Sequence, residues 1–301
     1  MKYTIAPSAL LLSIAALALH LATSAFAEPD IPEPWLHLTS LSDAQQTHIR
    51  TIVARSKTAL EAQNADMILK RTRELQRTGL TNLLSKDIEV WKQINRTTSR
   101  KLERAEIMSV LSPLQRMEAN ALWAGFTLTA TVGDFQPFKA KQRNALWCWA
   151  ASIAMVLEYN GIPSDQETVA QEIKGTSDAW SKATAEEVQE ALTRSKISKD
   201  PRKTWLSTSR YQHGAPNPIL MIPALEWGRP VLAAIEDVHV VVVHKVAYRE
   251  NADSSQRRIQ SIVIYDPLQD KDEELQWEDA AKLVTDVWYP QVSTYNSGRL
   301  Y

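Results

Sequence analysis

The sequence contains one cysteine, Cys148, which lies between two tryptophans in the stretch QRNALWCWAAS. A cysteine attacks acyl groups as its thiolate, and the amino terminus of a helix favours that anion. The pattern from Trp149 to Asn160 is helical and Gly161 ends it, so Cys148 lies where this helix begins. These positions predict a nucleophilic thiol at a helix start.

A nucleophilic thiol needs a base, and the chain has six histidines: His20, His37, His48, His213, His239 and His244. His239 begins the predicted strand HVVVVHKVAY, where a side chain lies at the end of the sheet and faces a cleft. His244 follows in the middle of the same strand and points to the opposite face by strand alternation. The sequence favours His239 as the base and keeps His244 as the alternative.

The base in turn needs an acceptor that orients its far ring nitrogen. Asp266 ends the next predicted strand, where Pro267 stops the ladder, and antiparallel pairing brings this end beside the start of the His239 strand. Asp237 is the alternative, although a residue so close in sequence seldom reaches the ring from the right side. Cys148, His239 and Asp266 therefore form a coherent set of nucleophile, base and orienter.

Gln142 offers an uncharged donor a short distance before Cys148 in the sequence. Acyl transfer through a tetrahedral intermediate needs donors aimed at the developing oxyanion, and the Gln142 amide and the backbone N–H of Cys148 supply two. The alternative for a glutamine on a loop is a solvated side chain. No metal or organic cofactor is implied, because the histidines are not spaced as a zinc site and no cysteine pair accompanies them.

The first residues have the pattern of a signal peptide over residues 1–27. An early lysine, Lys2, precedes an apolar run that ends in Ala25-Phe26-Ala27, the small-x-small pattern of a cleavage site. We therefore expect an exported bacterial protein, periplasmic or secreted, whose mature chain starts at Glu28 and contains no membrane span. In an oxidising compartment a single cysteine forms no internal disulfide, so the thiol is buried, reactive or paired with another molecule.

Composition separates two regions of the mature chain. Between Leu41 and Leu122 there is almost no Gly or Pro, and apolar residues recur at helical spacing, which predicts an antiparallel helix pair or triplet broken near Gly79. After Ala130 the sequence changes to Gly, Pro, aromatics and strand-like runs. This change predicts an all-helical domain or propeptide over residues 28–132, a boundary near residues 131–133, and a second domain over residues 133–301.

Charge is balanced overall but uneven along the chain. The sequence carries 34 Lys and Arg against 35 Asp and Glu, which does not indicate a nucleic-acid partner. Residues 50–118 carry 14 basic against 8 acidic residues, whereas residues 250–286 carry 4 against 10. These segments are either two solvated faces or surfaces that attract each other and dock the helical segment on the second domain.

Two short motifs, Leu41-Ser-Asp-Ala-Gln45 and Leu111-Ser-Pro-Leu-Gln115, each open an amphipathic helix. They resemble the paired LTxxQ motifs of small helical periplasmic chaperone-like proteins, and ordinary helix capping explains them about as well. The resemblance implies a helical fold and a periplasmic location for this segment. Its role is then that of a removable propeptide, a partner-binding domain or a chaperone-like arm.

The second domain reads as helices followed by strands. Two capping boxes, Ser164-Asp-Gln-Glu167 and Thr184-Ala-Glu-Glu187, each predict a helix start. Runs rich in β-branched residues over 231–235, 239–246 and 259–265 predict strands. Helices and then strands in one stretch are typical of an α+β fold.

The elements of this domain occur in an order that resembles the papain-like cysteine peptidases, and most closely a bacterial branch with a WCWAA active-site helix. The matching segments are Gln142, Cys148-Trp149-Ala150, Gly228-Arg-Pro-Val231, His239-Val-Val-Val-Val243 and Tyr265-Asp-Pro267. The resemblance implies a helix carrying the nucleophile packed on a C-terminal antiparallel sheet. It also implies Cys148 as nucleophile, His239 as base and acid, Asp266 as orienter and Gln142 as oxyanion donor.

The expected activity is therefore that of an exported cysteine endopeptidase acting on protein or peptide substrates. The sequence departs from the family pattern at Val238 and at His244-Lys245, where the family often has glycine, and at Asp266, where papain has asparagine. The same residues serve an amidase, a deamidase or a transglutaminase-type acyl transferase. A non-catalytic binding or chaperone-like module with a buried cysteine is the third alternative.

Overall fold

The computed structural model describes residues 35, 38, 41–78, 84–176, 181–193, 203–237, 239–252 and 256–296. The predicted signal peptide, residues 1–27, lies outside these residues. The chain divides into two compact units, Met1–Trp123 and Ala124–Tyr301, so the boundary predicted near residues 131–133 lies inside the second unit. Within the described part, no helix is both long and apolar enough to cross a membrane.

The first unit is helical in its described part, as predicted. Its helices are α1 (Asp43–Thr78), α2 (Leu84–Val110) and α3 (Pro113–Gly125), and the predicted break at Gly79 lies outside the described residues. Arg55 of α1 pairs with Glu106 of α2, and Asn64 accepts a hydrogen bond from Asn95 at 2.9 Å. Because the contact further along α1 lies nearer to the start of α2, the two helices are antiparallel.

The two short motifs of the first unit cap their helices and also contact each other. Oε1 of Gln45 accepts the backbone N–H of Ser42 at 3.1 Å, and Oε1 of Gln115 accepts that of Ser112 at 2.9 Å. The Gln45 amide donates to Oε1 of Gln115 at 3.0 Å, and the Gln115 amide donates back at 3.2 Å. This reciprocal amide pair joins the starts of α1 and α3.

The second unit has the predicted α+β composition. Its described helices are α4 (Cys148–Tyr159), α5 (Gln166–Lys174), α6 (Ala185–Thr193), α7 (Pro218–Glu226) and α8 (Trp277–Leu283). Its described strands are β1 (Leu128–Thr131), β2 (Lys203–His213), β3 (Val231–Ile235), β4 (His239–Glu250), β5 (Arg257–Asp266), β6 (Lys271–Gln276) and β7 (Val284–Asn296).

One antiparallel sheet holds these strands in the order β2-β7-β3-β4-β5-β6, and β1 pairs with the far part of β4. The valines from Val240 to Val243 are all buried, as expected for a central strand covered on both faces. The helix that carries the cysteine, α4, packs against β4. The expected papain-like arrangement, in which this helix lies on a C-terminal antiparallel sheet, is confirmed.

Helix α4 forms the centre of the second unit. All of its residues except Glu158 are buried, which matches a sequence that is apolar on every side. The helix ends at Tyr159, and Gly161 follows with a φ of 78°, a left-handed conformation that glycine adopts at little cost. The predicted helix is therefore present, with Cys148 as its first residue.

The predicted capping box is present at the start of α6 but not at the start of α5. Thr184 and Glu187 form the expected capping box at the start of α6, with bonds of 2.8 and 3.2 Å. At α5 the predicted Ser164 box is wrong, because the cap is Asp165, whose carboxylate accepts the backbone N–H of Thr168 at 2.8 Å. Asp165 has an extended backbone that directs its carboxylate over the first turn, as a cap requires.

Candidate active site

The structure brings Cys148 and His239 together at the contact between α4 and β4. Cys148 is the first residue of α4 and only 5% exposed, and His239 is the first residue of β4. The two side chains make a hydrogen bond. The thiol therefore lies at the positive end of a helix dipole with an imidazole beside it.

Val240, the residue after His239, ties this strand to α4 through both of its backbone polar groups. Its N–H donates to Sγ of Cys148 at 3.4 Å, and its carbonyl accepts the hydroxyl of Ser152 at 3.0 Å. Ser152 lies one turn further along α4 and is fully buried. These two bonds fix the start of β4 against the first turns of the helix, so the distance between thiol and imidazole is set by backbone contacts.

Asp266 contacts His239 from the side opposite to the thiol. Strands β4 and β5 pair antiparallel, with Val242 opposite Tyr265, so Asp266 at the end of β5 reaches the first residue of β4. Nε2 of His239 lies 2.7 Å from Oδ1 of Asp266, which leaves Nδ1 for the bond to the thiol. Asp266 is 4% exposed.

Asp237, the other acceptor considered from the sequence, is arranged differently. It has a left-handed backbone with a φ of 58° and an exposed side chain. Its backbone N–H donates to Oγ1 of Thr285 at 3.2 Å. Among the described contacts of His239 the carboxylate partner is Asp266, and Asp237 instead lies at the rim of a neighbouring cleft.

The surroundings of His239 favour its protonated form. Burial acts to lower its pKa, but the hydrogen bond and negative charge of Cys148 and those of Asp266 prevail, so the pKa lies above its ordinary value. A raised imidazole pKa beside a sulfur atom is the condition for a thiolate-imidazolium pair. His239 is therefore held in its proton-donating form beside the sulfur of Cys148.

His244, the alternative base, lies in a different environment. Its Nε2 is 3.0 Å from Oδ1 of Asp272, and its ring stacks on Phe135 at 5.6 Å between centroids. The register of β4 shifts between Val243 and Lys245, so simple alternation does not describe this position. Burial and the charge of Lys139 lower the pKa of His244 more than Asp272 raises it. These contacts pair His244 with a carboxylate of β6.

Gln142 lies beside the site, with its amide turned to the loop before α4. Its backbone N–H donates to the carbonyl of Pro267 at 2.8 Å, next to Asp266. Its side-chain N–H groups donate to the carbonyls of Asn144 at 2.8 Å and Ala145 at 2.9 Å. Oε1 of Gln142 is buried and bonds to no described residue. The structure therefore places Gln142 near the site, with both amide hydrogens engaged by the loop.

A narrow cleft opens beside Cys148, between the sheet and the start of α6. Its buried walls are Cys148, Trp149, Val188, Ala234, Val240, Asp286 and Trp288, and its other lining residues are Lys182, Ala183, Thr184, Ala185 and Asp237. Trp149 is thus both a core residue and a cleft wall.

Asp286 is the lining residue that sequence reasoning missed. It lies on β7, and its Oδ1 accepts the hydroxyl of Tyr211 at 2.7 Å and lies 3.0 Å from Nδ1 of His213. The hydrogen bond to Asp286 raises the pKa of Tyr211 to about 12, and the same carboxylate raises the pKa of His213. Its place in the cleft follows from β7, and that strand was not predicted from the sequence.

In the described part of the chain, no group of three or more His, Cys, Asp or Glu side chains is arranged to hold a metal ion. His48 lies on α1, in the first unit, and His20 and His37 lie outside the described residues. Cys148, His239 and Asp266 are therefore the predicted residues that come into direct contact.

Comparisons with known proteins match the part of the chain that holds this site. The model of the Peptidase_C39 like family matches residues 134–295. One similar solved structure is the crystal structure of a double glycine motif protease from an AMS/PCAT transporter in complex with the leader peptide. It is 18% identical, the match covers 51% of this chain and 89% of that chain, and the TM-score is 0.34. No curated protein matches the chain. Because the family match spans more than half of the sequence, the chain belongs to the Peptidase_C39 like family, a family of cysteine peptidases.

Proposed function

We propose that this protein is an endopeptidase that hydrolyses peptide bonds through a Cys148-His239-Asp266 triad and a thioester intermediate. The observation that carries the proposal is the position of His239, which bonds to Cys148 and lies 2.7 Å from Asp266. Thiol, imidazole and carboxylate in this order are the groups that acyl transfer to water requires. Membership of a peptidase family supports the same reaction class.

The reaction proceeds in two halves around His239. In the first half, His239 takes the thiol proton, and Sγ of Cys148 forms a bond to the peptide carbonyl carbon. The C–N bond then breaks as the imidazolium gives its proton to the leaving amine. In the second half, water attacks the thioester while His239 takes a water proton, and the C–S bond breaks to release the acid and the thiolate, which is reprotonated.

The oxyanion is stabilised by donors at the start of α4. The backbone N–H of Cys148 belongs to the first turn, where a helix provides no carbonyl partner for it. Gln142 supplies the second donor after its amide exchanges one of its bonds, to the carbonyl of Asn144 or of Ala145, for a bond to the oxyanion. The loop bonds hold the amide beside the site until substrate is bound.

The test compares four proteins that begin at Glu28: the wild type and the variants Cys148→Ala, His239→Ala and His244→Ala. Each is incubated with a denatured protein substrate and followed by intact mass, and iodoacetamide labelling of Cys148 is timed in parallel. We expect fragments with the wild type and with His244→Ala. We expect none with Cys148→Ala, and a rate lower by about 100-fold or more with His239→Ala, the usual size of a general acid-base contribution.

Each other outcome assigns a different role. Activity that survives in His239→Ala but is lost in His244→Ala would transfer the base role to His244. Rapid labelling of Cys148 without fragments would favour an amidase, deamidase or transglutaminase-type transferase. Slow labelling without fragments would favour a non-catalytic module with a buried thiol.

Export is part of the proposal and depends on the sequence of residues 1–27. The basic start, the apolar run and the Ala25-Phe26-Ala27 pattern support removal of a signal peptide and a periplasmic or secreted location. Intact mass of the protein recovered outside the cytoplasm checks this directly. A first residue at Glu28 is the expected result, and retention of the full sequence in the cytoplasm would contradict it.

The helical unit is proposed to be a propeptide of the peptidase. Its basic balance over residues 50–118 and the acidic balance over residues 250–286 support docking by charge attraction. The intact-mass experiment reads this out as well, because a propeptide is lost from the wild type and kept in Cys148→Ala. A helical unit that stays attached in fully active protein would leave the chaperone-like or partner-binding role.

A further inference from the structure

The cleft beside Cys148 has the size of one small polar group. Its volume is about 30 Å³, room for about two water molecules, since a cavity needs roughly 10–15 Å³ to hold one. Lys182, Thr184 and Asp237 form an exposed rim, and Asp286 is a buried wall residue. A group that enters from the rim therefore meets a carboxylate among buried wall residues.

Asp286 has capacity to accept a further hydrogen bond. Its two strongest contacts, with Tyr211 and His213, are both made by Oδ1. Oδ2 has one described contact, from the hydroxyl of Thr285 at 3.3 Å. A carboxylate oxygen carries two lone pairs, so Oδ2 can accept a donor that arrives through the cleft.

The charges around the cleft are negative on balance. Asp286, Glu186 and Asp237 all act on Tyr211. Lys182 and Asp237 offset each other at the rim. His213 contacts Oδ1 of Asp286 at 3.0 Å, and its side chain is 79% exposed. Among the residues that line the cleft, Asp286 is the buried charged side chain.

We propose that this cleft receives a primary ammonium group of the peptide substrate and that Asp286 binds it. The inference rests on the proposed function and names the substrate class of the same site. An ammonium group is compact and approaches water in size, whereas a guanidinium is a wide planar fork. The small volume therefore selects a lysine side chain, or the free amino terminus of a peptide, over an arginine side chain.

The test uses two peptide series on the full chain. In the first series every peptide is acetylated at its amino terminus, and a single lysine, arginine or norleucine is placed in turn at each position within four residues of the scissile bond. In the second series the residue at each position is norleucine and the amino terminus is free or acetylated. We expect one position, or the free amino terminus, to raise kcat/KM about tenfold over its uncharged counterpart.

Three variants separate a binding role of Asp286 from a structural one. Asp286→Asn keeps an acceptor for Tyr211 and His213 but removes the charge, so the ratio of kcat/KM for the ammonium peptide over its uncharged counterpart should fall to near unity. Asp286→Glu keeps the charge and should retain a preference. His213→Gln should leave the preference intact, since it removes a partner of Asp286 without removing the carboxylate.

The outcomes of this test are distinct from those of the proposed function. If the wild type cleaves no peptide, the proposed function fails first. If it cleaves peptides with no preference for an ammonium at any position, the role of Asp286 is refuted and the proposed function stands. An equal loss on all peptides in Asp286→Asn also refutes it, and an arginine preference equal to that for lysine refutes the size argument.

Discussion

Oδ1 of Asp266 accepts from three directions at once: it lies 2.7 Å from Nε2 of His239 and accepts the backbone N–H groups of Leu268 at 2.7 Å and Gln269 at 3.3 Å. Those two N–H groups belong to the turn that follows β5, so the carboxylate is held by an Asx-type turn. The orientation of the imidazole therefore depends on a local backbone conformation as well as on the sheet.

Asp266→Asn should move the pH dependence of the reaction. The wild-type pKa of His239 is raised, so its imidazolium persists as pH rises above the ordinary histidine value and is lost only through the higher pKa. Removing the negative charge of Asp266 lowers that pKa. We expect the alkaline limb of kcat/KM to shift to lower pH and kcat to fall by about tenfold or more. An unmoved limb, measured from pH 5 to pH 9, would show that Asp266 does not act on the base.

Ser152→Ala should loosen the contact between α4 and β4. The change leaves the buried carbonyl of Val240 without its hydroxyl donor, at a cost of about 1–3 kcal/mol in the free energy of unfolding. We also expect kcat to fall, because the residue next to His239 is no longer fixed. Denaturant unfolding in a Cys148→Ala background, with kcat measured separately, checks both effects.

Ser164→Ala is the matched control for this change. Ser164 is also a buried serine, 1% exposed, but its hydroxyl bonds to no described residue. Its removal should therefore change stability by a small amount and leave kcat unchanged. Equal effects of the two substitutions would mean that loss of volume, rather than the bond to Val240, determines the result.

Gln142→Ala should separate turnover from thiol reactivity. Alkylation of Cys148 by iodoacetamide forms no oxyanion, whereas peptide hydrolysis does, so we expect kcat to fall by about 100-fold or more and the alkylation rate to stay nearly constant. Single-turnover kinetics with a peptide substrate measure the first quantity. A parallel loss of both rates would assign Gln142 to holding the loop before α4.

Gln166 provides the control for that interpretation. It is a buried glutamine at the start of α5 that bonds to the loop before α4, with its carbonyl accepting from the backbone of Arg143 at 2.9 Å and its amide donating to the carbonyl of Lys141 at 2.8 Å. Gln166→Ala should lower the unfolding temperature without a selective loss of kcat. A selective loss of kcat in this variant would show that loop position alone governs turnover.

His244→Gln should reduce the loss of stability at acidic pH. The pKa of His244 is lowered in the folded state, so between the ordinary histidine value, about 6.5, and the lower folded value the unfolded chain binds a proton that the native chain does not. Stability then rises with pH, and the wild type loses stability as pH falls below about 6.5. His239 acts in the opposite sense, so the informative quantity is the difference between wild type and His244→Gln.

Thermal melts from pH 8 to pH 5 measure this difference, with both proteins carrying Cys148→Ala to prevent self-cleavage. The stability of the wild type relative to His244→Gln should decrease as the pH falls. A difference that stays constant over this range would mean that His244 has similar pKa values in the folded and unfolded chains.

The contact between His239 and Asp266 was predictable because local signals define both strand ends. The valine run after His239 indicates a buried strand, and Pro267 ends the next one, so antiparallel pairing alone brings the two side chains together. The environment of His244 was not predictable in the same way. A shift of register next to it breaks the alternation on which the prediction relied.

Strand β7 shows why the rest of the site was missed. Pro290 lies inside it, and a proline in a central position normally argues against a strand. Pairing with β3 reaches only Trp288, so the residue at Pro290 pairs on one side, with Ser209 of β2. The sequence does not indicate where the pairing of β7 with β3 ends, so neither β7 nor Asp286 on it was predicted.

The position of β7 also determines when the sheet is complete during synthesis. It follows every other described strand in the sequence, yet it lies between β2 and β3. A nascent chain that has not reached Val284 therefore leaves β2 without the strand it pairs with, and the cleft without the wall that Asp286 and Trp288 provide. A cleft with both of these wall residues can therefore form only after synthesis has passed Trp288.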